Sequence, residues 1–212
     1  MGEGSRSQPA GLLKHRPTLL AVLAHPDDES FGRGGTLALY AARGVETHLV
    51  CATRGEAGTV DAEHLEGYTS IAERRVDELR CAAGILGLSG VHFLDYRDSG
   101  MPGSPDNQHP QALAAAPLDE VAGKIVDAIR RLRPQVVLTF DPIGGYKHPD
   151  HIAIHQATLR AFYLAGEAGY VTGDPPYPPQ KLYYQMIPKG FLRVAVRLLP
   201  LFGRDPRRFG RN

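Results

Sequence analysis

Thr18-Leu19-Leu20-Ala21-Val22-Leu23 runs directly into Ala24-His25-Pro26-Asp27-Asp28-Glu29 and then into Gly32-Arg33-Gly34-Gly35. A short apolar run bounded by Pro17 and by glycine predicts a buried strand. The acidic cluster then follows the strand's carboxyl end, which is where open α/β sheets bind ligands. Three carboxylates packed this closely beside one imidazole raise one another's pKa values, and a divalent cation removes that penalty. From a single turn His25 and Asp28 can both face one metal ion, with Asp27 beside it. A catalytic zinc takes three protein ligands and keeps a fourth position for water, so this stretch lacks one ligand.

The missing ligand is expected in a second constellation, His148-Pro149-Asp150-His151. It too follows a strand-like run, Val136-Val137-Leu138-Thr139-Phe140. Pro149 suits the first turn of a helix, and Ile152, Ile154, Leu159 and Phe162 continue at helical spacing. His148 and His151, three apart, can share a helix face. Either motif alone reads as a helix cap with surface histidines. Two H-P-D elements at two strand ends point instead to one convergent metal site.

Around these motifs strand-like and helix-like segments alternate. Helical sequence is expected over 34–43, 69–86, 118–132 and from the second motif to about 165. Strands are expected over 46–52, 91–94, 135–140 and 181–187. Such alternation predicts an α/β fold: a Rossmann-like, doubly wound, mostly parallel sheet with helices on both faces, in a single domain. Two connections, 95–117 and 166–180, are long enough to be functional or disordered, and the first is read as a pocket wall. The glycines at 32–35 do not match G-x-G-x-x-G and read as a tight turn and close helix packing. G-x-S-x-G and Walker A elements are absent, so serine hydrolase and P-loop readings have no support.

A chain of 212 residues with 42% hydrophobic and 22% charged residues fits one soluble domain with a sizeable core. The net charge of +1 excludes a chain built as a whole for nucleic acid. Charge is uneven, since residues 189–212 hold seven Lys or Arg and one Asp, or +6, leaving −5 for the rest. Cys51 and Cys81 make no disulfide framework, and a cytoplasmic location is expected. Residues 1–16 are polar, without a signal peptide's apolar core, and are expected to be a disordered tail. Residues 17–190 form the expected domain, and 191–212 a basic amphipathic segment of a shortened chain.

Together, the two H-P-D motifs resemble the PIG-L-like (LmbE-like) family of zinc-dependent N-deacetylases, over roughly residues 17–190. Tyr96-Arg97-Asp98-Ser99-Gly100-Met101, after the third strand, is similar to a loop of that family's mycothiol-pathway branch. Thr53-Arg54-Gly55-Glu56-Ala57-Gly58 resembles the family's T-x-G-E-x-G element; for Glu56 a place behind the site and a solvated loop acid stay open. The resemblance implies one Zn2+ per chain held by His25, Asp28 and His151. It implies Asp27 as general base, and His148 with Tyr146 as stabilisers of the oxyanion. It also implies that Asp150 orients His148 through a hydrogen bond, and that Arg75 and Asp98 bind the sugar. The residue types suit metal-assisted hydrolysis independently, since ligands, a base and an electrophile are all present. Glu78 reads as structural, Lys147 has no matched role, and His155 reads as packed on its helix.

The function expected is removal of an acetyl group from an N-acetylglucosaminyl small molecule. Two alternatives stand beside it: a mycothiol-conjugate-type amidase, and a non-catalytic nucleotide-sugar binding module. The partner expected is that small molecule, with neither nucleic acid nor membrane, and a homo-oligomer is left open.

Overall fold

The computed structural model describes residues 16–186 and 189–203. The tail expected over 1–16 falls, except for Arg16, outside the described residues, as do Ile187, Pro188 and residues 204–212. Five strands form one sheet: β1 (Thr18–Leu23), β2 (Glu46–Cys51), β3 (Gly90–Phe93), β4 (Val136–Phe140) and β5 (Lys181–Gln185). All pairings are parallel, in the order β3-β2-β1-β4-β5. The chain walks outward from β1 to β3, then returns to place β4 on the free side of β1. That reversal creates a crevice between the carboxyl ends of β1 and β4, the position at which doubly wound sheets bind ligands.

β1 is central and all six of its residues are buried. Its unbroken apolar run is what a strand covered on both faces requires. Helices α1 (Gly34–Ala42) and α2 (Ile71–Leu86) follow β1 and β2, and α3 (Leu118–Leu132) follows the long loop after β3. The four-residue turn α4 (Gly144–Lys147) and the helix α5 (Pro149–Leu164) follow β4, and α6 (Lys189–Leu198) follows β5. α3 turns Val121, Ile125 and Ile129 into the core, where Ile154, Ala157 and Ala161 of α5 join the same cluster. α2 begins with Ser70 accepting from Glu73 N–H, and the Glu73 carboxylate accepts in turn from Thr69 N–H. This reciprocal cap fixes where the helix carrying Arg75 starts. Gly87, left-handed at φ 73°, ends it.

The expected elements appear with ends displaced by at most two residues. The loop over 95–117 is ordered by its own contacts: Arg97 pairs with Asp106 at 2.6 Å, and Asn107 donates to the carbonyls of Ser99 and Met101. The loop over 166–180 is tied to α3 by Arg130, which is 2% exposed. Its guanidinium donates to the carbonyls of Ala165, Glu167 and Tyr170. No helix among the described residues is long and apolar enough to cross a membrane.

Candidate functional site

Two turns meet at the crevice. After β1 the chain reverses over His25–Ser30, with Asp27 at φ 109°, a left-handed value costly for a residue with a Cβ. Glu29, 1% exposed, holds that turn from beneath: its Oε2 accepts from Asp27 N–H at 3.0 Å and its Oε1 from Ser30 Oγ at 2.6 Å. After β4 the chain passes through Gly144, where a Cβ would stand 2.8 Å from Ile152 Cγ1 and 3.0 Å from His151 Cβ. Glycine is needed there for the loop to lie against its own helix. Lys147 takes φ 70°, which gives this residue a backbone role in the same turn. His148 then caps α5, its Nδ1 accepting from Asp150 N–H at 3.2 Å, with Pro149 at the first helical position.

The crevice gathers His25, Asp28, His148, Asp150 and His151, all buried. Asp28 lies between two imidazoles, Oδ2 3.5 Å from His25 Nδ1 and Oδ1 3.4 Å from His151 Nε2. These separations are long for hydrogen bonds. They match the ~3.3–3.5 Å between ligand atoms that a tetrahedral zinc with bonds of ~2.0–2.1 Å would set. Both ring nitrogens of His151 are buried without a hydrogen-bond partner, which is costly unless a cation takes one. The donor set therefore fits a divalent metal. His148 also brings a ring nitrogen within 4.8 Å of those of His25 and His151, so a three-histidine set is geometrically open as well.

The charges favour a cation. Burial opposes a charged His25, but the carboxylates of Asp150, Asp28 and Asp98 outweigh it and hold the imidazole well above its usual pKa. Asp28, though buried, is held at about 2 by His25 and His151, and Asp98 lies below the usual range mainly through His25. Burial, only partly offset by Asp28, lowers His151 to about 4, so its ring stays neutral with a lone pair to offer. Asp27 is raised by burial and by neighbouring Asp28, against the pull of Arg75.

One contact corrects the sequence reading. The Asp150 carboxylate does not orient His148: its Oδ2 lies 3.0 Å from His25 Nε2 and accepts from Ser99 N–H at 2.9 Å. His148 is held by the Asp150 backbone instead. With Nδ1 occupied as an acceptor, the His148 proton resides on Nε2, which gives the crevice a donor. A cavity of 170 Å³ opens beside these groups, lined by His25, Asp27, Arg75, Asp98, Tyr146 and His148. Arg75 binds Asp27 Oδ2 at 2.7 Å and also donates to the Pro26 carbonyl. Glu78 pairs with Arg74 rather than Arg75. Glu56 accepts from Asp98 N–H at 3.0 Å, which places it behind the site. His155 bonds the Phe140 carbonyl at 2.8 Å, the packed role expected.

Sequence reasoning missed Arg33 and Phe140. Phe140 stacks on His151 with ring centroids 3.8 Å apart, and the buried Arg33 lies 4.3 Å over the Phe140 ring and donates to the Asp28 carbonyl. Neither residue has a spacing that marks it, because the stack forms only when β1 and β4 lie side by side.

Residues 20–162 match the PIG-L family, described as GlcNAc-PI de-N-acetylase. A 1D-myo-inositol 2-acetamido-2-deoxy-alpha-D-glucopyranoside deacetylase 2 from Catenulispora acidiphila is 42% identical over 195 residues, covering 86% of this chain and 64% of that one. The deacetylase of the same substrate name from Kineococcus radiotolerans is 43% identical over 205 residues, covering 88% and 56%. This chain thus spans 64% and 56% of the length of those relatives. Among solved structures, the conserved protein TT1542 from Thermus thermophilus is 32% identical with a TM-score of 0.60, covering 80% of this chain and 66% of that one. The N,N'-diacetylchitobiose deacetylase from Pyrococcus horikoshii is 25% identical with a TM-score of 0.61, covering 85% and 67%.

Proposed function

The chain belongs to the PIG-L family, and we propose that it hydrolyses the acetamide of an N-acetylglucosaminyl small molecule, a glycoside of a polyol such as myo-inositol, with one zinc ion per chain. The observation that carries this reading is Asp28 set between His25 Nδ1 and His151 Nε2, beside two His151 nitrogens with no partner. In this reading His25, Asp28 and His151 hold the metal. Asp28 is preferred to His148 as third ligand because it already faces both imidazoles, whereas the N–H of His148 is aimed as a donor. Such an ion supplies Lewis acidity, lowering the pKa of a water to near ~7 and polarising the acetamide carbonyl.

The remaining steps belong to the chain. Asp27 takes the water's proton and returns it to the leaving amine; Arg75, on Oδ2, aims the carboxylate. His148 Nε2–H and the Tyr146 phenol stabilise the oxyanion as the carbonyl becomes tetrahedral. Asp98 accepts from two sugar hydroxyls, a task suited to a carboxylate. Asp150 accepts from His25 Nε2–H, which leaves Nδ1 as the lone pair aimed at the metal, the usual arrangement of a carboxylate behind a metal-bound histidine. The free thiols Cys51 and Cys81 suit a reducing cytoplasm.

Release of the free glucosamine amine from N-acetylglucosaminyl-inositol, from a glucosaminyl-inositol amide of an S-conjugated N-acetylcysteine and from N-acetylglucosamine, each with zinc added, tests the reading. Fastest release from the inositol glycoside is expected. Cleavage of the conjugate alone would establish the amidase alternative, and an absence of both stoichiometric zinc and turnover would establish the binding module.

A further inference from the structure

The two histidines read as metal ligands are fixed in different ways. His25 is aimed by a hydrogen bond, its Nε2–H donating to the Asp150 carboxylate at 3.0 Å, the usual device behind a metal-bound imidazole. His151 lacks that device. Among the described residues neither of its ring nitrogens has a partner, and the Gly144 carbonyl, near enough to favour its protonated form, stands outside hydrogen-bond geometry. The terminal torsion of a histidine is broad, so such a ring turns unless a neighbour packs its face. Phe140 does so, lying nearly parallel to it with 12° between the planes and 3.8 Å between the centroids.

Phe140 is itself held on two sides. Its carbonyl is bound by His155 Nδ1 at 2.8 Å, which fixes the backbone behind the ring. The Arg33 guanidinium lies 4.3 Å over the ring centre. Arg33 and His151 both sit too close to that centre to share one face, so the ring is sandwiched between them. Arg33 is 4% exposed, and its Nη1 donates to the Asp28 carbonyl at 2.9 Å. Its Nε and Nη2 are buried without a partner among the described residues. A buried cation with unpaired donors is a cost to the fold, which an apolar side chain of similar volume would avoid. What the charge gains here is the face of Phe140, whose quadrupole attracts a cation. One arginine thus touches the backbone of Asp28 and, through one ring, the side chain of His151.

We propose that Arg33 and Phe140 are positioning residues of the metal centre. Arg33 presses Phe140 onto His151 and ties that stack to the turn carrying Asp28, so that His151 Nε2 and Asp28 Oδ1 face each other before the ion arrives. The inference rests on the reading of His25, Asp28 and His151 as the metal ligands.

The test is zinc affinity, measured by competition with a chromophoric chelator, together with the visible spectrum of the cobalt(II)-loaded chain, which reports the geometry of the ligands. Phe140→Leu and Arg33→Met are each expected to weaken zinc by ~10–100-fold, the usual worth of a group that orients a metal ligand, and to alter the cobalt spectrum. Phe140→Tyr keeps the stacked ring and is expected to keep the parent's affinity and spectrum. Chemical denaturation of the zinc-free chains shows which variants fold, and Phe140→Leu decides alone if Arg33→Met does not. Parental affinity and spectrum in Phe140→Leu or in folded Arg33→Met would overturn the proposal, as would an equal loss in Phe140→Tyr and Phe140→Leu. His151→Ala separates the two readings. Zinc lost there but kept in Phe140→Leu and Arg33→Met overturns the positioning role alone, whereas parental affinity in His151→Ala overturns the ligand assignment and the positioning role with it.

Discussion

Asp27 carries a costly backbone conformation at the crevice, and in the proposed reaction it is the general base. Its φ of 109° is held by the Glu29 carboxylate beneath it and by Arg75 in front. Asp27→Ala is expected to cut turnover by ~10²–10⁴-fold, the usual worth of a general base, while zinc content by mass spectrometry stays at one per chain. Full turnover in that variant would move the base elsewhere. Glu29 and Glu56 are poor substitutes, since their oxygens already bind Asp27 N–H, Ser30 Oγ and Asp98 N–H. Asp150 gives a sharper test, because its carboxylate and its backbone serve different histidines. Asp150→Asn leaves the backbone N–H on His148 intact but weakens the acceptor for His25. Zinc affinity is expected to fall ~10–100-fold. A variant that keeps parental zinc affinity and loses only turnover would return Asp150 to the service of His148. The identities around the crevice were legible from the spacing of two motifs. The partner of Asp150 was not, because it depends on how closely the turn after β1 approaches the start of α5.

Elements were legible where the hydrophobic period was strong. The fully buried, mainly apolar β1 and the amphipathic α3 were both expected, and α3 was expected to its last residue. Short irregular pieces were not, since the 3-10 turns Ala62–Leu65, Pro105–Gln108 and Leu113–Ala115 are too brief to carry a period. Nor was the role of Arg130, which reads as one more basic residue near a helix end. In the fold it is the strap that holds the loop over 166–180 against α3. Its targets are carbonyls of the loop and of the end of α5, and they are left without donors if the guanidinium is lost. A buried acceptor left unsatisfied costs ~1–3 kcal/mol, and at least two are at stake. Arg130→Met is therefore expected to destabilise the chain by about 3 kcal/mol in chemical denaturation. A change below about 0.5 kcal/mol, the range usual at exposed positions, would show that the loop finds other donors.

At the scale of the molecule, a metal held by the proposed ligands would also be a fastener. Its two motifs come from opposite halves of the doubly wound sheet: His25 and Asp28 follow β1, from which the chain walks out to β3, and His151 lies in the half that returns through β4. Parallel order was legible from the alternation of elements. The adjacency of β1 and β4 is a fact of topology that no local pattern encodes, yet it is what joins the two motifs. Asp28, Asp98 and Asp150 all crowd His25. A cation shared by His25, Asp28 and His151 would both neutralise that cluster and tie the halves together. Zinc present at about 100 times its dissociation constant stabilises the folded state by ~2.7 kcal/mol. For a chain of this length each kcal/mol moves the melting temperature by ~2–4 °C, so zinc is expected to raise it by about 5–10 °C over a chelator-treated sample. The rise should be absent in His151→Ala, and amide exchange should slow in both 25–29 and 144–151 in the parent. If zinc slows exchange in the first segment alone, the ligands come only from the turn after β1, and the fastening of the two halves is wrong.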